Sequence, residues 1–558
     1  MMLAKMRNLP RVRCALALAL AFAVAAHAQS VPDAGALRQQ FEQNQSPPLP
    51  AKAMPAPLPK PEVLKAPSGA AVTVTQVRFM GNTLLTQAQL DPAVQGYLNK
   101  PQSFAQLQEA AVAVANAYRD AGWLVRTYLP KQDITDGVLT IAVVEAMFSG
   151  AVLDGAEPSR LKSEQVLRIF SQQQPVGQAV RNDALDRALL LANDLPGVVV
   201  ASSLREGENQ GETGLRLKIS DRPLAMGELG VENTGSLSTG AERLSASLYL
   251  NSPLGLGDML AFNLSKTNGS EYVRATLTAP VGSDGWRVGG NASTLSYRVV
   301  APASSVALQA QGASDSYGLE ATYPLVRTRN RDLYFNAGAD QKTYRNVDLN
   351  GVQSDYANSN VNVGLSGNVF DSWGGGGTSS GSVTLQGGDL ALGSMQPGEG
   401  NKNGGAYGKL RYALSRQQTL REAWTLVGTL TGQQAHSTLD SSEAMTLGGS
   451  GGVRAYPSGE GSGTRGHIAT VELRWNLNAA VKMTAFFDRG SVSNNDGTPS
   501  YSLEGAGLGA TWATPAGAIL KAVWAQRKGS NPNPSSTGAD QDGTLVPDRW
   551  WLSVSLPF

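Results

Sequence analysis

The sequence predicts a β-rich protein in which two small α+β domains precede a C-terminal 16-stranded transmembrane β-barrel. The last ten residues alternate apolar with small or polar side chains and end on the aromatic Phe558, as in a strand with one apolar face. Similar alternating segments recur from about residue 227 onward. No run of 18 apolar residues follows residue 30. We therefore expect strands of a closed barrel, rather than helices, to cross the membrane.

The composition narrows the classes of function that fit this chain. The 558 residues carry a formal net charge of +1, which gives no electrostatic basis for binding nucleic acid. The single cysteine is Cys14, and only His436 and His467 follow residue 28. Two histidines are too few for most histidine-based catalytic centres or metal sites. We therefore expect no enzyme activity, no cofactor and no metal.

Residues 1–28 have the pattern of a secretory signal peptide. A basic region that includes Lys5 and Arg13 precedes an apolar run, residues 14–26, which is too short to span a membrane. The Ala-His-Ala sequence at 26–28 then matches a cleavage site. Cleavage there removes Cys14 and leaves a chain without thiols, which suits an oxidising compartment.

Two short segments separate this signal from the first domain. In residues 29–45, Asp33 can cap a helix, and Leu37 and Phe41 lie one turn apart. We expect a short helix there, with a disordered terminus as the alternative because a helix of this length is marginal on its own. Residues 46–70 are rich in proline and should form an extended, semi-rigid linker.

Residues 71–147 and 148–222 are expected to form the two α+β domains. In the first, residues 103–121 place an apolar stripe on one helix face, and Gly122 ends that helix. The expected order is a strand at 72–79, helices from Thr86 and over 103–121, a strand at 124–129 and, after the turn at 136–137, a strand at 138–144. The second domain should repeat this order, with helices at 163–172 and 181–193 and strands near 152, at 198–204 and at 215–220.

Residues 223–558 are expected to form the barrel. We place its strands near residues 229, 246, 262, 275, 291, 319, 338, 362, 383, 411, 429, 471, 486, 508, 523 and 554. Connections after even strands are short, as at 281–285, whereas several after odd strands are long, as at 448–466. Such alternation is typical of an even-stranded barrel with both chain ends on one side. Charged residues on one face of segments such as 469–477 predict a polar lumen, because they would cost roughly 2–4 kcal/mol against lipid.

A glycine-rich segment at 448–457 lies in one of the long loops. It contains Val453, Arg454 and Tyr456. No Gly-Lys-Ser/Thr follows, so the spacing is not that of a phosphate-binding loop. A solvated, exposed loop is the alternative interpretation, because most glycine-rich loops are of that kind.

The strand at 481–490 places a carboxylate on the inner face of the barrel. Its lipid face consists of Val481, Met483, Ala485 and Phe487. Phe486 and Asp488 therefore face the lumen, and Gly490 follows two residues later. A lone carboxylate on such a wall requires a cation nearby.

These two motifs carry a specific resemblance. The Val-Arg-x-Tyr loop and the Phe-x-Asp-x-Gly strand resemble the signature motifs of bacterial transporters that join polypeptide-transport-associated (POTRA) domains to a barrel. With two such domains, a proline-rich linker and a short N-terminal helix, the chain is similar to the two-partner secretion transporters of the haemolysin secretion and activation family. Further matching segments are 79–82, 129–130, 134–137, 233–240 and 252–258. Ala455 departs from the family pattern, which usually has glycine there, and we expect a small backbone adjustment.

The resemblance implies an outer-membrane pore with periplasmic POTRA domains. Such a pore secretes one large unfolded exoprotein, of the adhesin or haemolysin type, without ATP, after recognising its N-terminal secretion domain. The resemblance also implies that the motif loop folds into the lumen, that Arg454 pairs with Asp488, and that residues 29–45 form a plug helix. Phe558 matches the signal read by the barrel-assembly machinery. The implied partners are the exoprotein, outer-membrane lipids and that machinery, with no nucleic acid.

A client-binding groove is expected beside the strand at 124–129. An edge strand next to a helix can accept an extended peptide by strand addition. The candidate residues are Tyr118, Leu124, Val125 and Tyr128. The alternative is that Tyr118 and Val125 belong to the domain core.

Other functions compete with secretion. An outer-membrane assembly or translocation factor would share both motifs. A simple porin would not need residues 72–220, and a barrel enzyme would need a nucleophile and a base that the two late histidines do not suggest.

Overall fold

A computed structural model describes residues 33–44, 71–134, 136–301, 306–393, 403–495, 497, 499–535 and 538–558. These residues form an N-terminal helix α1 (Ala34–Asn44), two α+β domains and a closed β-barrel. The expected signal peptide and proline-rich linker lie outside the described residues. Among the described residues, no helix is both long enough and apolar enough to cross a membrane.

The first α+β domain packs two helices against a three-stranded sheet. Its elements are β1 (Val72–Thr73), β2 (Gln76–Met80), α2 (Gln87–Val94), β3 (Pro101–Gln102), α3 (Phe104–Asp120), β4 (Val125–Tyr128) and β5 (Val138–Glu145). The central strand β5 pairs parallel with β2 and antiparallel with β4. Ser103 caps α3, since its hydroxyl accepts a hydrogen bond from the Gln106 backbone N–H (3.4 Å). Gly122 ends the helix with a φ of +89°, a conformation that glycine adopts without strain.

The second α+β domain repeats this arrangement. Its elements are β6 (Met147–Leu153), α4 (Ser163–Gln173), α5 (Asn182–Asn193), β7 (Val198–Glu206) and β8 (Glu212–Asp221). The central strand β8 pairs parallel with β6 and antiparallel with β7. Phe148, Phe170 and Leu217 lie in a core between this sheet and the two helices.

The barrel consists of sixteen antiparallel strands in sequence order. They are β9 (Ala225–Glu232), β10 (Arg243–Asn251), β11 (Met259–Lys266), β12 (Ser270–Val281), β13 (Trp286–Arg298), β14 (Gln311–Arg327), β15 (Arg331–Asp348), β16 (Gly351–Asp371), β17 (Gly377–Leu392), β18 (Gly405–Arg421), β19 (Trp424–Ala435), β22 (Arg465–Asn476), β23 (Val481–Ser493), β24 (Tyr501–Ala513), β25 (Ile519–Arg527) and β26 (Asp548–Pro557). A short ribbon of β20 (Met445–Thr446) and β21 (Ser462–Gly463) lies in the loop between β19 and β22. The last strand, β26, pairs with β9 and closes the barrel.

The fold class predicted from the sequence is confirmed. Each of the sixteen predicted strand centres lies inside one of the sixteen barrel strands. Inner and outer faces alternate as predicted, because Phe486 is 6% exposed whereas its neighbour Phe487 is 39% exposed. Period-two alternation therefore located both the strands and their faces.

The second α+β domain is attached to the end of the barrel that carries the short turns. Arg327, at the end of β14, donates two hydrogen bonds of 2.8 Å to Asp194, which follows α5. Arg327 also pairs with Asp332 at the start of β15 (2.7 Å). Arg187 on α5 donates a hydrogen bond to the carbonyl oxygen of Pro324 (3.0 Å). These buried and half-buried contacts fix this domain at the rim of the barrel.

Candidate functional site in the barrel lumen

The loop between β19 and β22, residues 436–464, folds into the barrel and is called the lumen loop below. Its tip carries Val453, Ala455 and Tyr456, which are buried against the barrel wall. Val453 lies over Gly490 of β23: a Cβ atom built at Gly490 would come within 3.0 Å of the Val453 side chain. Glycine at that position of the wall lets the loop backbone approach closely.

The structure brings Arg454 of this tip together with Asp488 of β23. The guanidinium donates from Nε to Oδ2 at 2.9 Å and from Nη2 to Oδ1 at 2.8 Å. The Arg454 backbone N–H also donates to Oδ2 at 3.1 Å. Asp488 is fully buried. A planar guanidinium that binds a buried carboxylate through two parallel hydrogen bonds fixes both the position and the orientation of the loop tip.

This site also contains Glu472 and Thr470, two wall residues that the sequence analysis did not select. Glu472 of β22 accepts a hydrogen bond from Arg454 Nη1 (2.8 Å), and the Thr470 hydroxyl donates to Asp488 Oδ1 (2.9 Å). The Arg454 guanidinium carbon lies 3.4 Å from the ring centroid of Phe486. In the ladder Glu472 is opposite Phe486 and Thr470 is opposite Asp488. The alternation of β22 already placed both on the lumen face, but nothing local indicated that they meet Arg454.

Two further contacts hold the loop tip against the last strands of the barrel. The indole N–H of Trp551 on β26 donates to the backbone carbonyl of Arg454 (2.8 Å). The guanidinium of Arg527 on β25 lies 4.9 Å from the ring centroid of Tyr456. Ala455 lies against Gly505 of the intervening strand β24, since a Cβ atom built at Gly505 would be 2.5 Å from the Ala455 Cβ. The tip therefore contacts the continuous part of the wall from β22 to β26.

Helix α1 also lies inside the barrel, against the opposite wall. Arg38 donates to the Ser314 hydroxyl (2.8 Å) and to Ser293, and Lys342 pairs with Glu42 (2.7 Å). Burial alone would raise the pKa of Glu42, but Lys342 and Arg38 outweigh it and hold this pKa at about 2. The helix is therefore attached to strands β13, β14 and β15 through charged and polar contacts.

An apolar contact supports the same placement of α1. The ring of Phe41 stacks on Tyr272 of β12 with centroids 5.0 Å apart. The first helical N–H, that of Ala34, donates to the side-chain oxygen of Asn346 (2.9 Å), which satisfies one of the unpaired donors of a helix start. Leu37 belongs to the same buried cluster.

The four expected groove residues of the first α+β domain occupy different environments. Tyr118 is 0% exposed and donates its hydroxyl to Glu145 (2.9 Å). It is a core residue and cannot line an open groove, because α3 turns it inward with the other apolar residues of its stripe. Val125 packs partly against that core. Leu124 packs against the core of the second domain, and Tyr128, 42% exposed on the edge strand β4, is the member of this set that solvent reaches most freely.

The C-terminal residue Phe558 lies at the junction where the barrel closes. Its backbone N–H donates to Gly227 (2.9 Å) and its carbonyl accepts from the Gly227 N–H (3.0 Å). The ring covers Gly227, since a Cβ atom built there would lie 2.4 Å from the ring. Phe558 is 62% exposed on the outside of the barrel.

Within the described part of the chain, no group of three or more His, Cys, Asp or Glu side chains is arranged to hold a metal ion. The chemistry of the lumen site is that of charged hydrogen bonds between a loop and a wall.

Fold and site together define an outer-membrane barrel that carries periplasmic POTRA domains. Residues 211–512 match the model of the family described as haemolysin secretion/activation protein ShlB/FhaC/HecB, and residues 72–146 match that of the ShlB-type POTRA domain. The chain belongs to this family of haemolysin secretion and activation proteins. It is a two-partner secretion transporter of the outer membrane, with POTRA domains in the periplasm and a secreted exoprotein as its partner.

Similar proteins include two curated relatives. The heme/hemopexin transporter protein HuxB of Haemophilus influenzae (strain 86-028NP) is 27% identical over 82% of this chain and 83% of its own length. The outer membrane transporter CdiB of Dickeya dadantii is 25% identical over the same shares of both chains.

Two solved structures share the fold. CdiB from Escherichia coli superposes with a TM-score of 0.70 and 19% identity, covering 95% of this chain and all of that one. BamA from Haemophilus ducreyi lacking POTRA domains 1–3 gives a TM-score of 0.52 at 17% identity, covering 87% of this chain and 100% of that one. At these identities the likeness concerns the fold alone.

Proposed function

We propose that this chain exports one large, unfolded exoprotein of the adhesin or haemolysin type through its barrel, and that the Arg454–Asp488 pair sets the position of the lumen loop for export. The observation that supports this role is the buried two-bond contact between Arg454 and Asp488. Breaking a buried ion pair from one side typically costs about 3–5 kcal/mol, because the remaining charge is left uncompensated. Loss of Arg454 should therefore displace the loop tip.

Arginine variants at two positions test this role. Arg454→Ala should reduce export at least about tenfold, and Arg454→Lys should give an intermediate loss because it keeps the charge but not the planar fork. Arg489→Ala is the matched control, since Arg489 is an exposed arginine on β23, next to Asp488, and pairs with Glu504 (3.3 Å). Exoprotein in the supernatant is measured against the amount of assembled barrel. Normal export by Arg454→Ala would remove the proposed role.

The edge strand β4 is the proposed site at which the POTRA domains recognise the N-terminal secretion domain of the exoprotein. Strand addition uses the free backbone groups of an edge strand, and exposed side chains beside it give selectivity. Tyr128→Ala should weaken binding of the secretion domain to the isolated periplasmic region. Met80→Ala, at an exposed position on the other edge strand β2, should bind like wild type. Equal affinities for all three proteins would exclude β4 as the site.

Helix α1 is proposed to block the resting pore. It lies in the lumen and contacts the wall at Arg38, Phe41 and Glu42. Deleting residues 29–45 should raise the conductance of the purified protein in planar bilayers. An unchanged conductance would show that the helix does not limit ion flow.

A role in outer-membrane assembly is the second candidate, because BamA shares the fold. Mass spectrometry of the supernatant and the outer membrane, with and without this protein, distinguishes the two functions. Loss of one very large secreted protein supports export. Depletion of many barrel proteins with normal secretion supports assembly.

A further inference from the structure

A second ionic contact joins the lumen loop to the barrel wall, on the far side from Arg454. The carboxylate of Glu443 lies 2.5 Å from Nζ of Lys409 on β18. It also accepts hydrogen bonds from Asn358 of β16 (2.7 Å) and Gln386 of β17 (3.0 Å). Lys409 Nζ and the side-chain amide of Gln433 on β19 both donate to the Glu443 backbone carbonyl at 3.0 Å. Four consecutive strands therefore contact this single loop residue.

Both partners of this contact are buried, so the contact fixes the position of this part of the loop. Glu443 is 2% exposed, and the side chain of Lys409 is equally inaccessible. Burial alone would raise the pKa of Glu443, but Lys409 and Lys342 lower it below its usual value. The short contact between Glu443 and Lys409 Nζ is that of an ion pair, and removing either partner leaves the other buried without compensation.

The loop segment that Glu443 fixes is also the segment that covers helix α1. The Ser441 hydroxyl donates to the Asp33 carboxylate (2.7 Å) at the start of the helix, and the Thr446 hydroxyl donates to the side-chain oxygen of Gln43 (3.1 Å) near its end. Between them, Gly35 faces Ser442 so closely that a Cβ atom built at Gly35 would lie 2.7 Å from the Ser442 Cβ. Residues 441–446 therefore follow the helix along most of its length.

The helix is held from two sides as a consequence. Its outer side is attached to strands β13–β15 through Arg38 and Glu42. Its inner side is covered by a loop segment that has its own buried attachment to β16–β19. The Arg454 site lies at the tip of the same loop, on strands β22–β26, and shares no side chain with the Glu443 site.

We infer that Glu443 and Lys409 are positioning residues that form a second anchor of the lumen loop, and that this anchor holds helix α1 in the pore. The inference rests on the proposed function in so far as it takes α1 to be the plug. The two anchors have separate tasks: Arg454 and Asp488 fix the loop tip, and Glu443 and Lys409 fix the part of the loop that retains the helix.

Two engineered cysteine pairs in the full-length chain report separately on the loop segment that covers helix α1 and on the loop tip. The sequence has one cysteine, Cys14, within the expected signal peptide, so the mature background is free of thiols. Cysteines at Gln43 and Thr446 report contact between helix and loop. Cysteines at Thr234 and Ser458 report the loop tip, because the Ser458 hydroxyl donates to the backbone carbonyl of Thr234 (3.0 Å). In Glu443→Gln, cross-linking of the first pair should fall at least about fivefold, because Lys409 is left without its counter-charge. Cross-linking of the second pair should stay as in wild type.

Conductance gives an independent measure of the same change. Glu443→Gln should raise the resting conductance toward that of the protein lacking residues 29–45. Glu422→Gln, an exposed carboxylate in the turn between β18 and β19, is the matched control and should change neither readout. If Glu443→Gln does not assemble, Glu443→Asp, which keeps the charge but shortens its reach, should show the same loss in smaller degree.

The outcomes separate this inference from the proposed plug. Unchanged cross-linking between positions 43 and 446 in the assembled Glu443 variant would overturn the second anchor. An equal loss of cross-linking at the loop tip would also overturn it, because the two anchors would then not be independent. If deletion of residues 29–45 leaves conductance unchanged, the plug fails as a function, and the cross-links still decide whether Glu443 holds the helix.

Discussion

The side chain of Ala455 rests directly on Gly505 of β24. A Cβ atom built at Gly505 would lie 2.5 Å from the Cβ of Ala455, far inside van der Waals contact. The loop tip thus meets the wall at a position where the wall has no side chain. Residue 455 is where this chain departs from the glycine expected for its family, and the facing glycine provides the space for the extra methyl group.

Gly505→Ala should therefore destabilise the folded barrel by about 1–3 kcal/mol, the usual cost of overpacking a filled site, and should reduce export. Adding Ala455→Gly to this variant should restore most of both. Gly509→Ala is the matched control on the same strand, because a Cβ atom there meets its nearest neighbour at an ordinary 3.4 Å. The temperature at which the folded band disappears in semi-native gel electrophoresis measures stability. No recovery in the double variant would mean that the two residues are not coupled.

Trp551 should be needed for export through its N–H group rather than through its aromatic bulk. Trp551→Phe keeps a ring but leaves the buried carbonyl of Arg454 without its donor, which costs about 1–3 kcal/mol. Export and cross-linking of the loop tip should both fall, while the barrel still assembles. Trp550→Phe is the control, since Trp550 is the outward-facing neighbour and is 58% exposed. Equal export by the two variants would contradict a specific role for the indole.

The sequence predicted the barrel well because strand position and face depend on local alternation. The inward direction of Asp488 followed from the same rule. The contact between Glu443 and Lys409 could not be predicted in this way. No periodicity describes the path of a long loop, and Lys409 is distant from Glu443 in sequence. For Tyr118 the local pattern was sufficient, because its place in the apolar stripe of the helix already indicated a core position. Only the hypothesis of a client-binding groove suggested that Tyr118 lies at the surface.

Phe558 should matter for the yield of assembled barrel more than for the activity of each barrel. Its ring covers Gly227 at the closing junction, and it lies at the very end of the strand that closes the sheet. Phe558→Ala should lower the fraction of heat-modifiable, folded protein several-fold, with export falling in proportion. Phe487→Ala, which removes an outward-facing ring from the middle of β23, should assemble nearly normally. A full yield for Phe558→Ala would exclude an assembly role.

Glu460 should make the stability of the lumen loop depend on pH. It lies after the loop tip, is almost fully buried, and accepts hydrogen bonds from the side-chain amide of Asn531 (2.9 Å) and the backbone N–H of Gln541 (2.7 Å) in the loop before β26. Burial raises its pKa to about 6, and the nearby carboxylates of Asp540 and Asp542 add to the rise. The two hydrogen bonds only partly offset this.

A carboxyl group with a raised folded-state pKa stabilises the fold when it is protonated. The gain is complete below about pH 4.5 and is lost as the pH rises through about 6. Raising the pKa from its ordinary 4.5 to about 6 corresponds to about 2 kcal/mol of stabilisation. The unfolding temperature of the wild type should therefore rise between pH 7.5 and pH 5 relative to that of Glu460→Gln, in which the site stays neutral. The other titrating groups are common to the wild type and Glu460→Gln, so the difference between their unfolding temperatures reports on Glu460 alone. If that difference is constant between pH 7.5 and pH 5, Glu460 does not titrate in this range.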